Sequence, residues 1–203
     1  MTEITSDHQM AKVRSFERGY IGVHLILTGG ELGLFAALDA VPEGLTAPSL
    51  AESLGLHAPY VELWCQTADA LDLLDVDEAG RFRLQPHLNE VLVQSENPRN
   101  LFDSLKFTAL EVSKDLVRYA AFFRSGEEFR YQEHGASISH LVAGMTKNFP
   151  QVFIGGMMKR VAGMREQLCA GARVLEIGCG AGTLACELAK QFPASYFVGV
   201  DLD

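Results

Sequence analysis

The 203-residue chain has no uninterrupted run of about 18 apolar residues, so no membrane-spanning helix is expected. It also lacks basic excess: 17 Lys and Arg stand against 26 Asp and Glu, a net charge of −9. Nucleic-acid affinity rests largely on Lys and Arg neutralising phosphates, so a polyanionic partner is not expected. The four cysteines, Cys65, Cys169, Cys179 and Cys186, include no Cys-x-x-Cys pair, and no histidine cluster has zinc spacing. They read as small buried apolar side chains in a reducing compartment, and no metal site is expected. The opening residues MTEITSDHQMAKVRSFER carry no apolar signal segment, which points to the cytoplasm. No internal repeat or low-complexity tract is present. Nothing forms a Ser/His/Asp set or a close carboxylate pair, so no catalytic residue is assigned.

What is there begins with 48% hydrophobic residues, enough for a substantial core in one large or two small domains. The most informative stretch is RVLEIGCGAGTLACELAKQFPASYFVGVDLD, Arg173 to Asp203. Val174, Leu175 and Ile177 form a short β-prone run suited to a strand buried on both faces. Gly178, Gly180 and Gly182 allow a sharp turn and leave no side chain in a ligand's way. Leu184, Ala185, Leu188, Ala189 and Phe192 recur at helical spacing from about Thr183, and Pro193 marks the end. Tyr196 to Val200 form a second strand that feeds Asp201. A turn and helix start of this kind offer backbone N–H groups and partial positive charge to a carboxylate or phosphate. An Asp at the end of the second strand can accept hydrogen bonds from both ribose hydroxyls.

The glycines choose among nucleotide-like ligands. A dinucleotide fingerprint, G-x-G-x-x-G/A, would put its third small residue at Thr183. The spacing here is G-x-G-x-G, with Glu176 two residues before the first glycine. E-I-G-C-G-A-G resembles motif I of the class I S-adenosylmethionine (SAM) dependent methyltransferases, and V-G-V-D resembles the end of their second strand. The resemblance implies SAM as cofactor, with Gly178, Cys179, Gly180 and Gly182 passing its methionyl part and Asp201 binding its ribose. It gives Glu176 the support of the loop and the amino end.

Upstream, residues from about Asp7 to Ala40 read as helix broken near Thr28-Gly29-Gly30. Val13, Phe16, Tyr20, Val23 and Leu27 make an apolar stripe that something must cover. His24 lies in that apolar stretch and reads as an interior histidine. LTAPSLAESLGL gives a short helix with Thr46 as N-cap and Gly55 as stop. Pro59 to Leu74 reads as a longer helix with Val61, Trp64, Ala68, Leu71 and Leu74 on one face. Val76 to Leu84 alternates around Asp-Glu-Ala-Gly as a hairpin. This order resembles a winged helix, yet Glu62, Asp69 and Asp72 with no Lys or Arg would repel the second helix from a major groove. The block through Phe82 to Leu92 resembles the N-terminal dimerisation domain of two-domain small-molecule methyltransferases, which implies a homodimer through the N-terminal helices. After Asn97-Pro98-Arg99, residues 101–124 read as a helix, and further helices are expected from Ser137 and over 149–168. Tyr131, His134, His140 and Phe149 are candidates to line an acceptor pocket, with Phe129 in the irregular segment between 126 and 135.

The fold class expected is therefore mostly α, with a winged-helix domain over 1–96 and a helical connector over 97–168. The first βαβ unit of a Rossmann-like methyltransferase domain follows over 169–203. That domain is incomplete in the resemblance, since it supplies only two strands of a seven-stranded sheet, and the chain alone is expected to bind SAM weakly or not at all and turn nothing over. The function implied is methyl transfer to a small-molecule acceptor. A non-catalytic regulatory or DNA-binding winged-helix protein on the same fold is the alternative, and the glycine spacing disfavours a nicotinamide oxidoreductase.

Overall fold

The computed structural model describes residues 4–128, 130–134 and 136–202. The chain forms two compact units, Met1–Ser95 and Glu96–Asp203. Charge divides between them unevenly. Residues 1–95 hold 14 acidic and 5 basic side chains, so the whole net charge of −9 falls in the first unit.

The first unit runs α1 (Ser6–Glu31), α2 (Leu34–Asp39), β1 (Leu45–Thr46), α3 (Ala47–Leu54), α4 (Ala58–Ala70), β2 (Leu74–Val76), β3 (Arg81–Leu84) and α5 (Leu88–Leu92). Its strands form an antiparallel sheet in the order β1-β3-β2, with Leu74 opposite Leu84 and Val76 opposite Phe82. Leu27, Leu34, Phe35, Leu38, Leu50, Val61, Trp64, Cys65 and Leu74 are buried together as its core. Trp64 meets Phe35 edge-on at 5.1 Å and donates its Nε1–H to the Leu25 carbonyl at 3.0 Å. A buried indole needs such an acceptor.

The first helix does not break where the glycines suggested. Gly29 and Gly30 stay helical, and the chain turns at Leu32 and Gly33 instead. Gly29 is small because α1 crosses Trp64 there; a Cβ would lie 2.4 Å from Trp64 Cζ2 and 2.6 Å from Phe35 Cε2. The spacing of glycines thus marked a packing contact rather than a bend. Helix α4 also ends earlier than expected, at Ala70, and Leu74 opens β2. Asp72 adopts φ +59°, a left-handed turn that helix cannot continue through. Thr46 caps α3 through the Ser49 N–H at 3.4 Å, and Gly55 closes it at φ +65°.

The second unit begins with α6 (Phe102–Phe107), a π-helical turn over Thr108–Val112, α7 (Ser113–Leu116) and α8 (Tyr119–Ser125). The single helix expected over 101–124 is thus divided. The Thr108 and Ser113 hydroxyls donate to the carbonyls of Ser104 and Ala109, four residues back, which bends a helix and loosens its ladder. A 3₁₀ turn at Tyr131–His134 precedes α9 (Ala136–Thr146) and α10 (Phe149–Val152), and a wide turn over Phe153–Met157 leads on. α11 (Met164–Ala170), β4 (Arg173–Ile177), α12 (Thr183–Gln191) and β5 (Tyr196–Val200) complete the order. The helix expected over 149–168 is interrupted where Val161 turns extended and Gly163 left-handed.

Met158, Leu168, Leu188 and Phe192 form the buried cluster of this unit, with Val174, Leu184 and Phe197 packed on it. β4 and β5 pair in parallel, Val174 opposite Phe197 and Leu175 opposite Val198. One sheet face covers the cluster. The other leaves Leu175 60%, Ile177 80% and Val200 45% exposed, so the burial on both faces expected for β4 is met on one. Ser195 fixes the strand entry: its hydroxyl donates to the Leu168 carbonyl at 2.6 Å and accepts from the Ala172 N–H at 2.9 Å.

Candidate functional site

The C-terminal ends of two parallel strands and the N-terminus of the intervening helix meet at residues 176–185 and 199–201. In open α/β sheets this edge is where ligands bind. Gly178, Gly180 and Gly182 take φ of +74°, +50° and +73°, a left-handed run that side-chain-bearing residues rarely enter. The Gly178 and Cys179 N–H groups both donate to the Val200 carbonyl, at 2.8 and 3.2 Å, which ties the loop across to β5. Gly182 N–H donates to the Cys179 carbonyl at 2.8 Å and closes the turn into α12.

The two acidic residues grip this loop from either side. α12 has Gly182 at its N-cap and so no capping side chain of its own. Glu176 Oε2, reaching from β4, accepts from the Ala185 N–H at 3.1 Å and puts a carboxylate at the positive end of the helix. Asp201 Oδ2 accepts from the Gly180 N–H at 2.6 Å, and its Oδ1 accepts from the Leu202 N–H at 2.8 Å. The structure therefore brings Glu176, Gly178, Cys179, Gly180, Gly182 and Asp201 into one cluster. A carboxylate has about four lone-pair sites, so Asp201 can hold the loop and still accept from a vicinal diol. A glycine loop at a helix start, with a carboxylate at the end of the neighbouring strand, is an arrangement in which α/β sheets hold nucleotide-like ligands.

Two contributors to this cluster, Val200 and Gly199, and one residue at the far end of β5, Ser195, escaped sequence reasoning. Val200 acts through its carbonyl, which no residue-type pattern reveals. Gly199 matters by what it lacks: a Cβ there would come within 2.8 Å of Cys179 Sγ. A glycine inside a strand is a signal of such close approach and was there to be read. Ser195 left no signal beyond its polarity.

Other candidates fall elsewhere. His134 Nε2 lies 2.8 Å from Asp115 Oδ2, both side chains nearly buried, so it joins the connector helices. Phe149 borders a cavity beside α6 and the end of α9. Phe129 and the side chains of Tyr131 and His140 lie outside the described residues. His24, read as interior, is exposed and meets Tyr20 edge-on at 4.8 Å, because that stretch of α1 carries its apolar face outward. Among the cysteines only Cys65 is buried; Cys169 and Cys186 are exposed and Cys179 half-buried, so the reading of all four as core is corrected. Among the described residues no group of three His, Cys, Asp or Glu side chains could hold a metal ion, and no helix is long and apolar enough to cross a membrane.

No protein-family model matches the chain, and comparison with curated sequences gives no match. Solved structures do match in fold. Human N-acetylserotonin methyltransferase in complex with SAM superimposes with a TM-score of 0.70 at 17% identity, over 98% of this chain and 60% of that one. A structure named PigF with SAH gives 0.71 at 16% identity, over 98% and 59%. The mitomycin 7-O-methyltransferase MmcR gives 0.69 at 16%, over 95% and 58%. The fold is thus one shared with two SAM- or SAH-bound structures and an O-methyltransferase. This chain spans about 60% of the length of the structures it matches.

Proposed function

We propose that the chain is part of a class I SAM-dependent methyltransferase acting on a small molecule. The observation that carries the reading is the cluster itself: a left-handed glycine loop clamped by Glu176 and Asp201, in a fold shared with SAM- and SAH-bound structures. SAM would supply a methyl group on a sulfonium, already activated as a leaving group. The residues here contribute binding and orientation. The start of α12 would receive the amino-acid end, with the glycine loop bent clear of it by its own hydrogen bonds to Val200, Asp201 and Cys179; Asp201 would take the ribose hydroxyls, and Glu176 would hold the helix start that frames them.

The same reading makes the first unit a winged helix used for homodimerisation, in a cytoplasmic enzyme. Its acidity supports that over DNA binding, since α4 carries Glu62 and Asp69 and no basic residue. The exposed apolar face of β4 and β5 supports further structure packing there in the working enzyme, so the 203-residue chain should bind SAM weakly and catalyse nothing alone. Calorimetric titration of the chain with SAM, SAH and NAD tests this. Weak saturable binding of SAM and SAH, lost in Asp201→Ala, and none of NAD, is the expected result. A preference for NAD would sink the reading, and micromolar SAM affinity would overturn the weak-binding claim.

A further inference from the structure

The cavity beside α6 and α9 encloses about 290 Å³, a volume suited to a small molecule. Beside the uncharged polar residues Asn100, Ser104, Thr146 and Asn148, two kinds of side chain in its lining bear on a ligand. Met145, Phe149 and Val152 are large apolar residues left exposed around it. Asp103 and Lys147 meet among them, Nζ to Oδ2 at 2.6 Å, each about a third exposed. Exposed apolar groups gathered at a concave site call for an occupant more than the same groups scattered over a surface would. The Phe149 ring is held for contact, with Phe153 6.2 Å behind it at a 44° tilt. Gly144 lies beside the acid; a Cβ there would make an ordinary contact with the Asp103 carboxylate at 3.5 Å.

The charges set the ligand class. An ammonium has three donors and a carboxylate about four acceptor sites, so their mutual bond leaves both with capacity. A lone anion or cation would satisfy one partner and be repelled by the other. A zwitterion satisfies both, its carboxylate on Lys147 and its ammonium on Asp103, while its apolar part rests on Phe149, Met145 and Val152. We propose that this cavity binds a free amino acid with an apolar or aromatic side chain. The site shares no residue with the glycine loop and goes beyond the methyl-donor reading. Because α10, which supplies Phe149 and Val152, packs against α12, an occupant would have a direct mechanical route to the helix that follows that loop.

Amide NMR titration of the 203-residue chain with L-phenylalanine, 3-phenylpropanoate and 2-phenylethylamine tests the proposal. L-Phenylalanine should give saturable shifts centred on 98–107 and 144–153 and extending no further than α12, with millimolar affinity. Each singly charged analogue should bind about tenfold more weakly, as expected for losing one charge-assisted contact. Lys147→Met should erase the preference for the zwitterion over 2-phenylethylamine, and Asp103→Asn that over 3-phenylpropanoate. The comparison of ligands on the unaltered chain stands even where a variant is unstable. Equal binding of all three, shifts elsewhere, or no saturation at about 10 mM would overturn it.

Discussion

Cys65 shows how far one position can set a residue's chemistry. Burial first, and Glu62 second, push its thiol from 9.0 up to about 12. The unfolded thiol ionises near the lower value, so the stabilisation is full below pH 9 and is lost as pH rises toward 12. The loss approaches roughly 1.4 kcal/mol per pH unit within that window. Trp64, the only tryptophan, sits next to it and reports unfolding by fluorescence. Melts between pH 8 and 11 should show the decline in the native chain and a shallower one in Cys65→Ala. Parallel slopes would remove Cys65 as the cause. Asp77 illustrates the opposite sign: the Arg81 N–H foremost, with the Ala79 N–H and the Arg81 and Arg83 guanidiniums, holds its carboxyl below the usual carboxylate range. Its oxygens tie the hairpin turn, a contribution present at neutral pH and lost as pH falls.

Among the elements, α12 depends on a residue outside itself. With glycine at its N-cap, its first turn takes its side-chain acceptor from Glu176 on β4. Glu176→Ala should cost about 1 kcal/mol, the typical value of a lost cap. Glu176→Gln keeps an acceptor and should cost only about 0.3–1 kcal/mol through the helix dipole. Denaturant titration gives the order, and hydrogen exchange at Ala185 gives the site. Unchanged protection of that amide in Glu176→Ala would rule out the capping role. The sequence marked Glu176 by its place before the glycines, but its partner became visible only once β4 and α12 were packed. The divided helices over 102–125 and 149–170 teach the same point. Apolar spacing predicted their helicity, whereas the breaks come from hydroxyls and left-handed glycines that periodicity does not register.

For the molecule as a whole, two of the apolar surfaces left uncovered among the described residues bear on the proposed function. The first half of α1 presents Val13 65%, Phe16 66% and Tyr20 63% exposed, while its second half buries Leu27 in the first unit. The proposed function would pair that face with a second copy. Light scattering should then give a dimer mass, and Val13→Ser with Phe16→Ser and Tyr20→Ser should give a monomer with an unchanged melt of the first unit. A native chain that stays monomeric at high concentration would count against the pairing. The open face of β4 and β5 is the second surface.

The sequence by itself determined the βαβ order, the loop glycines, the caps at Thr46 and Gly55, and the hairpin, because each is a local preference of backbone or side chain. Glu176 and Asp201 were marked by their places around the glycines together with the resemblance those motifs carry. Only the tertiary structure decided what those residues hold. Gly29 is small for Trp64, Gly199 for Cys179, and Val200 anchors the loop through a carbonyl. His24 faces outward and Cys65 alone among the cysteines is sealed. Such facts depend on which surfaces meet across distant parts of the chain, and hydrophobic periodicity carries no record of that.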